Sequence, residues 1–357
     1  MPDKKKPRLS YADAGVNIDA ADEAMKQIST IVSRTFDENV LRDIGSFGAM
    51  YSFDTSGMDE PVLVSSVDGV GTKLKVAFLM GKHDTVGIDL VSHCVNDILV
   101  QGARPLFFLD YLAVGKLEPG VVVEIIRGIA NGCRYAGCSL IGGETAEMPD
   151  LYTAGEYDLA GTIVGYVDKK KIVDGSSIAE GDVIIGLASS GLHTNGYSLA
   201  RKICFDVAGL KVTDPMPGVG RSVGDALLEP HRSYAKVIQL IMKIVTVKGM
   251  AHITGGGLTD NLPRIIPEGL GAEIQLGSWE VPPLFAFLQN IGNVEDKEML
   301  RTFNMGIGYT VVVAASEAEK AIETLALSGD NPTVIGKIVS GAKGVRYAGA
   351  LKYAAAN

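Results

Sequence analysis

The chain has 357 residues, of which 46% are hydrophobic and 21% charged, and it carries a formal net charge of −9. These fractions are close to globular averages, so the chain can bury a full core, and its length predicts two domains. The acidic balance argues against nucleic acid or an anionic membrane as a partner. No apolar run reaches the ~18 residues that a membrane span requires, and the basic residues at 4–8 precede no secretory segment, so a cytoplasmic location is predicted.

The spacing of apolar residues predicts helices and strands in both halves of the chain. The first half is predicted to contain helices at 21–35, 86–101 and 119–136 and strands at 61–67, 106–114, 139–141 and 157–167. The second half is predicted to contain strands at 183–188, 309–314 and 333–339 and helices at 195–205, 230–245, 282–289 and 317–328. The absence of a strict strand–helix–strand rhythm favours the α+β class over a doubly wound sheet.

A charged stretch of small residues separates the two halves. Residues 168–182 read DKKKIVDGSSIAEGD, a composition that is typical of a connection between domains. The sequence therefore predicts an N-terminal domain over residues 1–170 and a C-terminal domain over residues 171–357.

The spacing of cysteines and histidines does not predict a metal centre. No CxxC pair occurs, and the four cysteines are predicted to be reduced and buried, which argues against zinc: Cys94, Cys133, Cys138 and Cys204. Three histidines show no ligand spacing and are predicted to be packing or surface residues: His83, His93 and His231.

The first motif with chemical potential is the turn Asp68-Gly69-Val70-Gly71-Thr72-Lys73, directly after a predicted strand. Its spacing is too short for a P-loop. Its groups nevertheless suit a phosphate and a hard cation, because they combine free backbone amides, a hydroxyl, a lysine and an aspartate. Taken alone, the segment favours a plain turn over a binding site.

Two further carboxylates accompany apolar elements. Asn96-Asp97 lies inside a predicted apolar helix, where a charged residue needs a partner or a metal unless it faces water. Gly142-Gly143-Glu144 follows a predicted strand. Magnesium prefers oxygen ligands from few protein groups and completes its shell with water and phosphate. The pattern therefore predicts a magnesium–phosphate site formed by Asp68, Asp97 and Glu144.

Two glycine-rich turns in the second half are candidate anion sites, because each follows a strand and opens a helix, where backbone amides are free. They span residues 189–196 and 254–259. The alternative interpretation is that their polar residues only cap the helices. The residues that would contact an anion in these turns are Gly191, His193, Asn195, Gly255 and Gly256.

Eight sequence blocks match one known family in order and in residue pattern. They are SYADAGVNIDA (10–20), SSVDGVGTKLKVA (65–77), GIDLVSHCVNDILVQGARPLFFLDYLA (87–113), GGETAEMP (142–149), YDLAGTIVG (157–165), GLASSGLHTNGYSLAR (186–201), HITGGGLTDNLPR (252–264) and RTFNMGIG (301–308). Through these blocks the chain resembles the phosphoribosylformylglycinamidine cyclo-ligase family, also called aminoimidazole ribonucleotide synthetase. The resemblance covers nearly the whole chain.

The resemblance implies a two-domain α+β fold of ATP-binding type, in which the N-terminal sheet dimerises into a barrel and a C-terminal α+β domain follows. ATP would bind near the interface of the homodimer, with Mg²⁺ held by Asp68, Asp97 and Glu144. The segment 10–20 would close over the nucleotide.

The implied reaction converts formylglycinamidine ribonucleotide and ATP into aminoimidazole ribonucleotide, ADP and phosphate, in purine biosynthesis. Because histidine titrates near neutrality, His193 is a candidate for proton transfer or contact with substrate phosphate. The turn at 255–257 is a second candidate for the ribose phosphate. The residues expected to act in the chemistry are Lys73, Asp97 and His193. Those expected to contact nucleotide or phosphate are Asp68, Gly69, Gly71, Thr72, Lys73, Asn96, Gly142, Gly143, Gly191, Asn195, Gly255 and Gly256.

Two alternatives remain open at the level of sequence. A sister enzyme of the same superfamily would phosphorylate a different acceptor, and a non-catalytic protein would bind nucleotide on the same fold. The presence of all three carboxylates argues against the non-catalytic alternative. The first block departs from the family pattern at two positions, where Ala12 replaces a basic residue and Asn17 replaces an aspartate.

Overall fold

The computed structural model describes residues 18–42, 45 and 47–355, with side chains from residue 23 onward. The segment that is expected to close over a nucleotide therefore lies mostly outside the described residues, as do Ala12 and Asn17. The described chain forms two mixed sheets with helices packed against them, in agreement with the predicted α+β class. None of the described helices is long and apolar enough to cross a membrane.

The N-terminal sheet has four strands. They are β1 (Pro61–Gly69), β2 (Arg104–Val114), β3 (Ser139–Glu147) and β4 (Tyr157–Asp168), in the spatial order β1-β4-β2-β3. Strand β4 pairs antiparallel with β1 and β2, whereas β2 and β3 are parallel. The accompanying helices are α1 (Ile18–Ser33), α2 (Leu74–Met80), α3 (Val86–Leu99) and α4 (Pro119–Ala136).

Helix α3 is buried on nearly all sides, because it lies against the sheet, against α4 and against the second half of the chain. Its backbone meets that of α4 directly at Gly87, where a Cβ atom would lie 2.3 Å from the amide nitrogen of Ile129. Only glycine permits this approach. The close packing fixes the position of Asn96 and Asp97 at the other end of the helix.

The C-terminal sheet has six strands. They are β5 (Val183–Ala188), β6 (Val247–His252), β7 (Leu270–Leu276), β8 (Ile307–Val313), β9 (Thr333–Ser340) and β10 (Val345–Gly349), in the order β10-β7-β9-β5-β8-β6. Only the β10–β7 pair is parallel among these neighbours. The helices of this half are α5 (Tyr197–Arg201), α6 (Val223–Leu227), α7 (Ala235–Ile241), α8 (Gly257–Asn261), α9 (Pro283–Gly292), α10 (Asp296–Thr302) and α11 (Ala318–Leu327).

Some predicted elements differ from the observed ones. The motif Gly142-Gly143-Glu144 lies inside β3 and not after it, because its backbone continues the pairing with β2. The helix predicted at 230–245 is reduced to α7, and β6, β7 and β10 were not predicted. All four cysteines are buried and free, as predicted.

Candidate functional site

Four of the five histidines of the chain meet between the two sheets. His93 lies on α3, His252 ends β6, and the other two lie in loops of the second half. All four are buried. We refer to His93, His193, His231 and His252 as the histidine cluster.

One end of the histidine cluster holds Asp68. Nε2 of His93 lies 2.9 Å from Oδ2 of Asp68, and Nδ1 of His93 lies 2.8 Å from Oγ1 of Thr194. Asp68 also accepts a hydrogen bond from the amide of Gly69 at 2.7 Å. These contacts connect the end of β1 to the glycine-rich turn of the second half.

The other end of the histidine cluster holds Asp97. Its Oδ1 lies 2.8 Å from Nδ1 of His252, and its Oδ2 accepts a hydrogen bond from Ser66 at 3.2 Å. Nε2 of His252 lies 3.1 Å from Nε2 of His231, whose Nδ1 lies 3.4 Å from Oγ1 of Thr194. A continuous chain of polar contacts therefore joins the two aspartates through the cluster.

The electrostatic environment keeps both aspartates ionised. Burial by itself raises the pKa of Asp68 and Asp97, but hydrogen bonds and charge interactions with His93 and His252 outweigh it, and the pKa of each carboxyl lies below its usual value. Burial lowers the pKa of His252, although the hydrogen bond to Asp97 acts in the opposite direction. The site thus offers two partly exposed carboxylates beside buried imidazoles.

Lys73 belongs to a buried ion pair. Its Nζ donates to Oδ1 of Asp89 at 2.8 Å and to the carbonyls of Glu229 at 2.7 Å and His193 at 3.2 Å. Burial lowers the pKa of Lys73 and raises the pKa of Asp89 to about 6. The ammonium group is fully enclosed in this conformation, and the contact between Lys73 and a phosphate stays a prediction.

The side chain of Asn96, in the first half of the chain, also forms hydrogen bonds to the second half. Its Oδ1 accepts from the amide of Tyr234 at 3.0 Å, and its Nδ2 donates to the carbonyl of Arg232 at 2.8 Å. The side chain is completely buried in this conformation, and the contact between Asn96 and a nucleotide stays a prediction.

The three predicted carboxylates are not gathered at one point. In the register of the sheet, Asp68 on β1 aligns through β4 and β2 with Gly143 on β3. Strand β1, which carries Asp68, is therefore separated from β3, which carries Glu144, by three strand spacings of about 4.8 Å. The total distance across the sheet is roughly 14 Å. Glu144 is exposed. Among the described residues, the groups of side chains close enough to surround a single ion include Asp97 but neither Asp68 nor Glu144.

Glu144 lies instead at a cavity of about 1030 Å³ beside β3. Gly142 and Gly143 line the same cavity, together with apolar residues of α1 and α4. Its wall also contains Asp110, and burial raises the pKa of this carboxyl to about 7. A Cβ atom on Gly143 would lie 2.3 Å from Oδ1 of Asp110, so glycine leaves room for the carboxyl group.

The two glycine-rich turns of the second half lie side by side. Oδ1 of Asn195 is 3.4 Å from the position that a Cβ atom on Gly255 would take. Gly255 is exposed and Gly256 half-buried, whereas Gly191 is buried and its carbonyl accepts a hydrogen bond from Asn304. In this pair of turns, the most exposed backbone is therefore that of residues 255 and 256.

His193 lies inside the histidine cluster. It is buried, has a positive φ of 62°, and its Nε2 accepts a hydrogen bond from the amide of Ser190 at 3.2 Å. Burial is the main cause that holds the pKa of His193 well below its usual value. The ring is enclosed in this conformation, and the role of His193 in proton transfer or phosphate contact stays a prediction.

The remaining predicted residues lie at the end of β1. Gly69 is half-buried, and Gly71 adopts a positive φ of 67° with open space around it. Thr72 is exposed, and its Oγ1 lies 3.3 Å from Oγ of Ser198. This stretch has the free backbone and hydroxyl groups that phosphate binding requires.

Sequence reasoning missed His93, His231 and the partner role of His252. One signal was available, because His93 and Asp97 are four residues apart on α3 and therefore share a helix face. His231 lies in an irregular loop, and its contact with His252 depends on tertiary structure alone.

The two halves of the chain match one class of proteins. The family models described as AIR synthase related protein match residues 45–167 for the N-terminal domain and 179–348 for the C-terminal domain. Among solved structures, thiamine-monophosphate kinase from Stenotrophomonas maltophilia aligns with a TM-score of 0.65 at 17% identity, covering 92% of this chain and 95% of that one. The E. coli hydrogenase maturation protein HypE aligns with a TM-score of 0.65 at 19% identity, covering 91% and 94%. These likenesses define the fold.

Sequence relatives are more specific. The phosphoribosylformylglycinamidine cyclo-ligase of Thermoanaerobacter pseudethanolicus is 55% identical over 94% of this chain and 99% of the relative. That of Geotalea daltonii is 56% identical over 93% of this chain and 96% of the relative. The chain belongs to the phosphoribosylformylglycinamidine cyclo-ligase family.

Proposed function

We propose that this chain closes the imidazole ring of aminoimidazole ribonucleotide, using formylglycinamidine ribonucleotide and ATP and releasing ADP and phosphate. The observation that carries the proposal is 55% identity to a named cyclo-ligase over almost the full length of both chains. A HypE structure in complex with ATP, which aligns with a TM-score of 0.64, supports the use of ATP on this fold.

The chemistry explains why ATP is required. A formyl oxygen is a poor leaving group, so its phosphorylation produces an imidoyl phosphate from which an amidine nitrogen displaces phosphate and closes the ring. The protein contributes positioning and neutralisation of phosphate charge. The free backbone at Gly69–Gly71 and the hydroxyl of Thr72 are suited to phosphate oxygens, and the exposed turn at 255–256 is suited to the ribose phosphate.

We propose Mg²⁺ as the cation, bound at Asp68 and Asp97. Both carboxylates are ionised and partly exposed, which fits a divalent ion that shares its shell with water and phosphate. When bound, the ion would neutralise the charge of the transferred phosphoryl group. Glu144 lines the cavity beside β3, so a metal-binding role for it would require an ion at that separate place.

The proposed assembly is a homodimer of chains with domains over 1–170 and 171–357, located in the cytoplasm. Apolar side chains on the outer face of the N-terminal sheet support the dimer. Leu63 and Val67 on β1 are 64% and 68% exposed, and Tyr111 on β2 is 40% exposed. Exposed apolar side chains on one face of a sheet are typical of an interaction surface.

The decisive experiment is incubation of the purified chain with formylglycinamidine ribonucleotide, ATP and Mg²⁺. Aminoimidazole ribonucleotide is measured by diazo coupling and ADP in parallel, and we expect one ADP for each ring closed. Formation of ADP with a different acceptor, but not with this substrate, would identify a sister activity and contradict the proposal.

Asp97→Asn tests the carboxylate in the same assay. We expect turnover to fall by about 100-fold or more, since ligand positions are sensitive even to changes in their surroundings. Thermal unfolding should show an intact fold. The exposed Asp206→Asn serves as the matched control for loss of one charge. Undiminished turnover of Asp97→Asn would remove Asp97 from the site.

A further inference from the structure

The cavity beside β3 has the size and the walls of a site for a small organic ligand. Its volume is about 1030 Å³, at the upper end of the range for pockets that enclose such ligands. The side chains that line it are mostly apolar, and they include Ile28 on α1, Leu109 on β2 and Leu140 on β3. An apolar cavity of this size favours a ligand with an apolar ring, because the ring displaces water from the walls.

One buried carboxyl group interrupts this apolar wall. Asp110 lines the cavity and is only 8% exposed. Within the part of the chain that the structure describes, no other residue donates a hydrogen bond to its carboxyl group. Buried polar groups in proteins are nearly always paired, so the missing donor requires an explanation. A ligand in the cavity that carries an N–H group would supply it.

Two successive glycines of β3 line the same cavity. Glycine weakens the interior of a strand and often marks a place where a ligand approaches the backbone closely. At Gly143 the neighbouring carboxyl of Asp110 accounts for the glycine. At Gly142 the surrounding protein does not, because a Cβ atom would make an ordinary contact, 3.5 Å from Cδ2 of Leu109. Gly142 therefore leaves a bare stretch of wall that a flat ring can approach.

We propose that the cavity beside β3 binds the adenine ring of ATP, and that the carboxyl group of Asp110 accepts a hydrogen bond from the exocyclic amino group of the ring. The inference rests on the proposed use of ATP, and it adds the place of the base and the residue that recognises it. Adenine combines apolar faces with an amino group on its edge, which matches apolar walls with one buried carboxyl. A carboxyl group can accept this bond whether it is ionised or protonated.

The test compares adenosine with purine riboside, which is the same nucleoside without the amino group. Both are titrated into the full-length protein with ¹³C-labelled methionine methyl groups. Met25 lines the cavity, so its methyl resonance is expected to shift with either ligand, whereas that of Met299, buried on α10 in the second half, should not. We expect adenosine to bind about 10-fold more tightly than purine riboside, as one additional hydrogen bond to a buried acceptor would give.

Two variants of Asp110 then assign the contact. Asp110→Leu is expected to bind the two nucleosides equally, because leucine offers no acceptor. Asp110→Asn, whose side-chain oxygen still accepts, should keep the preference for adenosine. The exposed Asp206→Leu is the matched control and should behave as the parent. Since each comparison is made within one protein, a general disturbance of the cavity by leucine would weaken both ligands alike and leave the preference unchanged.

A preference for adenosine that persists in Asp110→Leu would overturn the role of Asp110, as would equal binding of the two nucleosides to the parent. An unshifted Met25 with adenosine and with ADP would overturn the cavity as the site of the base. Ring closure is assayed separately. Product formation together with an unshifted Met25 would therefore contradict this inference and leave the proposed function standing.

Discussion

Lys73 and Asp89 both lie in the first half of the chain and form an ion pair. The side chain of each also contacts the backbone of the second half. Both side chains are completely inaccessible to solvent. The lysine also binds the carbonyls of Glu229 and His193, and the aspartate accepts from the amide of His231 at 2.6 Å. Removal of one charge therefore leaves the other buried without its partner, which is a large penalty in a protein interior.

We expect Lys73→Met to lower the free energy of unfolding by about 3–5 kcal/mol, because Asp89 remains buried and unpaired. Urea denaturation provides the measurement. The double variant Lys73→Met/Asp89→Leu should recover much of the loss, since no isolated charge remains. As a control, Lys169→Met removes an exposed pair with Glu60 and should cost less than about 1 kcal/mol. Equal losses for the buried and exposed lysines would contradict this account.

At the scale of elements, β2 brings an ionisable group into the wall of the cavity beside β3. Asp110 is buried there, and among the described residues no other residue donates a hydrogen bond to its side chain. The folded protein therefore keeps the proton of Asp110 up to about pH 7, whereas the unfolded chain releases it near the ordinary pKa of 3.8. Folding stability must fall as the pH rises through this interval.

Asp110→Asn removes that dependence. We expect the variant to match the parent near pH 4 and to become more stable than the parent as the pH rises to 7, by at most about 4 kcal/mol for a shift of this size. Chemical denaturation at a series of pH values measures the difference. Asp206→Asn, on the surface, controls for the loss of a carboxylate. A stability difference that does not change with pH would show that Asp110 ionises normally.

Elements with strong local signals were predictable from the sequence. Helix α4 was predicted correctly over 119–136, because Pro119 favours its first turn and Gly137 adopts the left-handed conformation that ends it. Strand β6 was missed, because VKGMAH contains a single β-branched residue and a glycine. Its place depends on pairing with β8, which short-range patterns do not reveal.

The candidate site was also predictable in part, where its residues accompany elements with strong local signals. Asp68 and Asp97 stood out because each accompanies an apolar element, and both lie at the ends of the histidine cluster. The burial of Lys73 was not predictable, since its partners are an aspartate and two carbonyls from distant segments. The separation of Glu144 from Asp68 follows from strand order, which the sequence does not specify.

At the scale of the whole molecule, the outer face of the N-terminal sheet determines the proposed dimer. We expect Leu63→Asp/Val67→Asp to convert the dimer to a monomer, because charges at these exposed apolar positions would be buried without partners in an interface. Light scattering after size-exclusion chromatography measures the mass. Leu327→Asp, at a position that is 90% exposed on α11, is the matched control and should remain dimeric. A dimeric double variant would exclude this face as the interface.

The buried ion pair also has a consequence for synthesis of the chain on the ribosome. Lys73 can bond to its carbonyl partner only after a residue 156 positions later has been synthesised. Asp89 likewise requires an amide that lies 142 positions later. At roughly 5–20 residues per second, translation takes about 8–30 s to supply them. During this interval the nascent N-terminal half exposes two charges and the face of α3 that the second half later covers. The emerging chain is thus an incomplete folding unit, of the kind that holding chaperones bind.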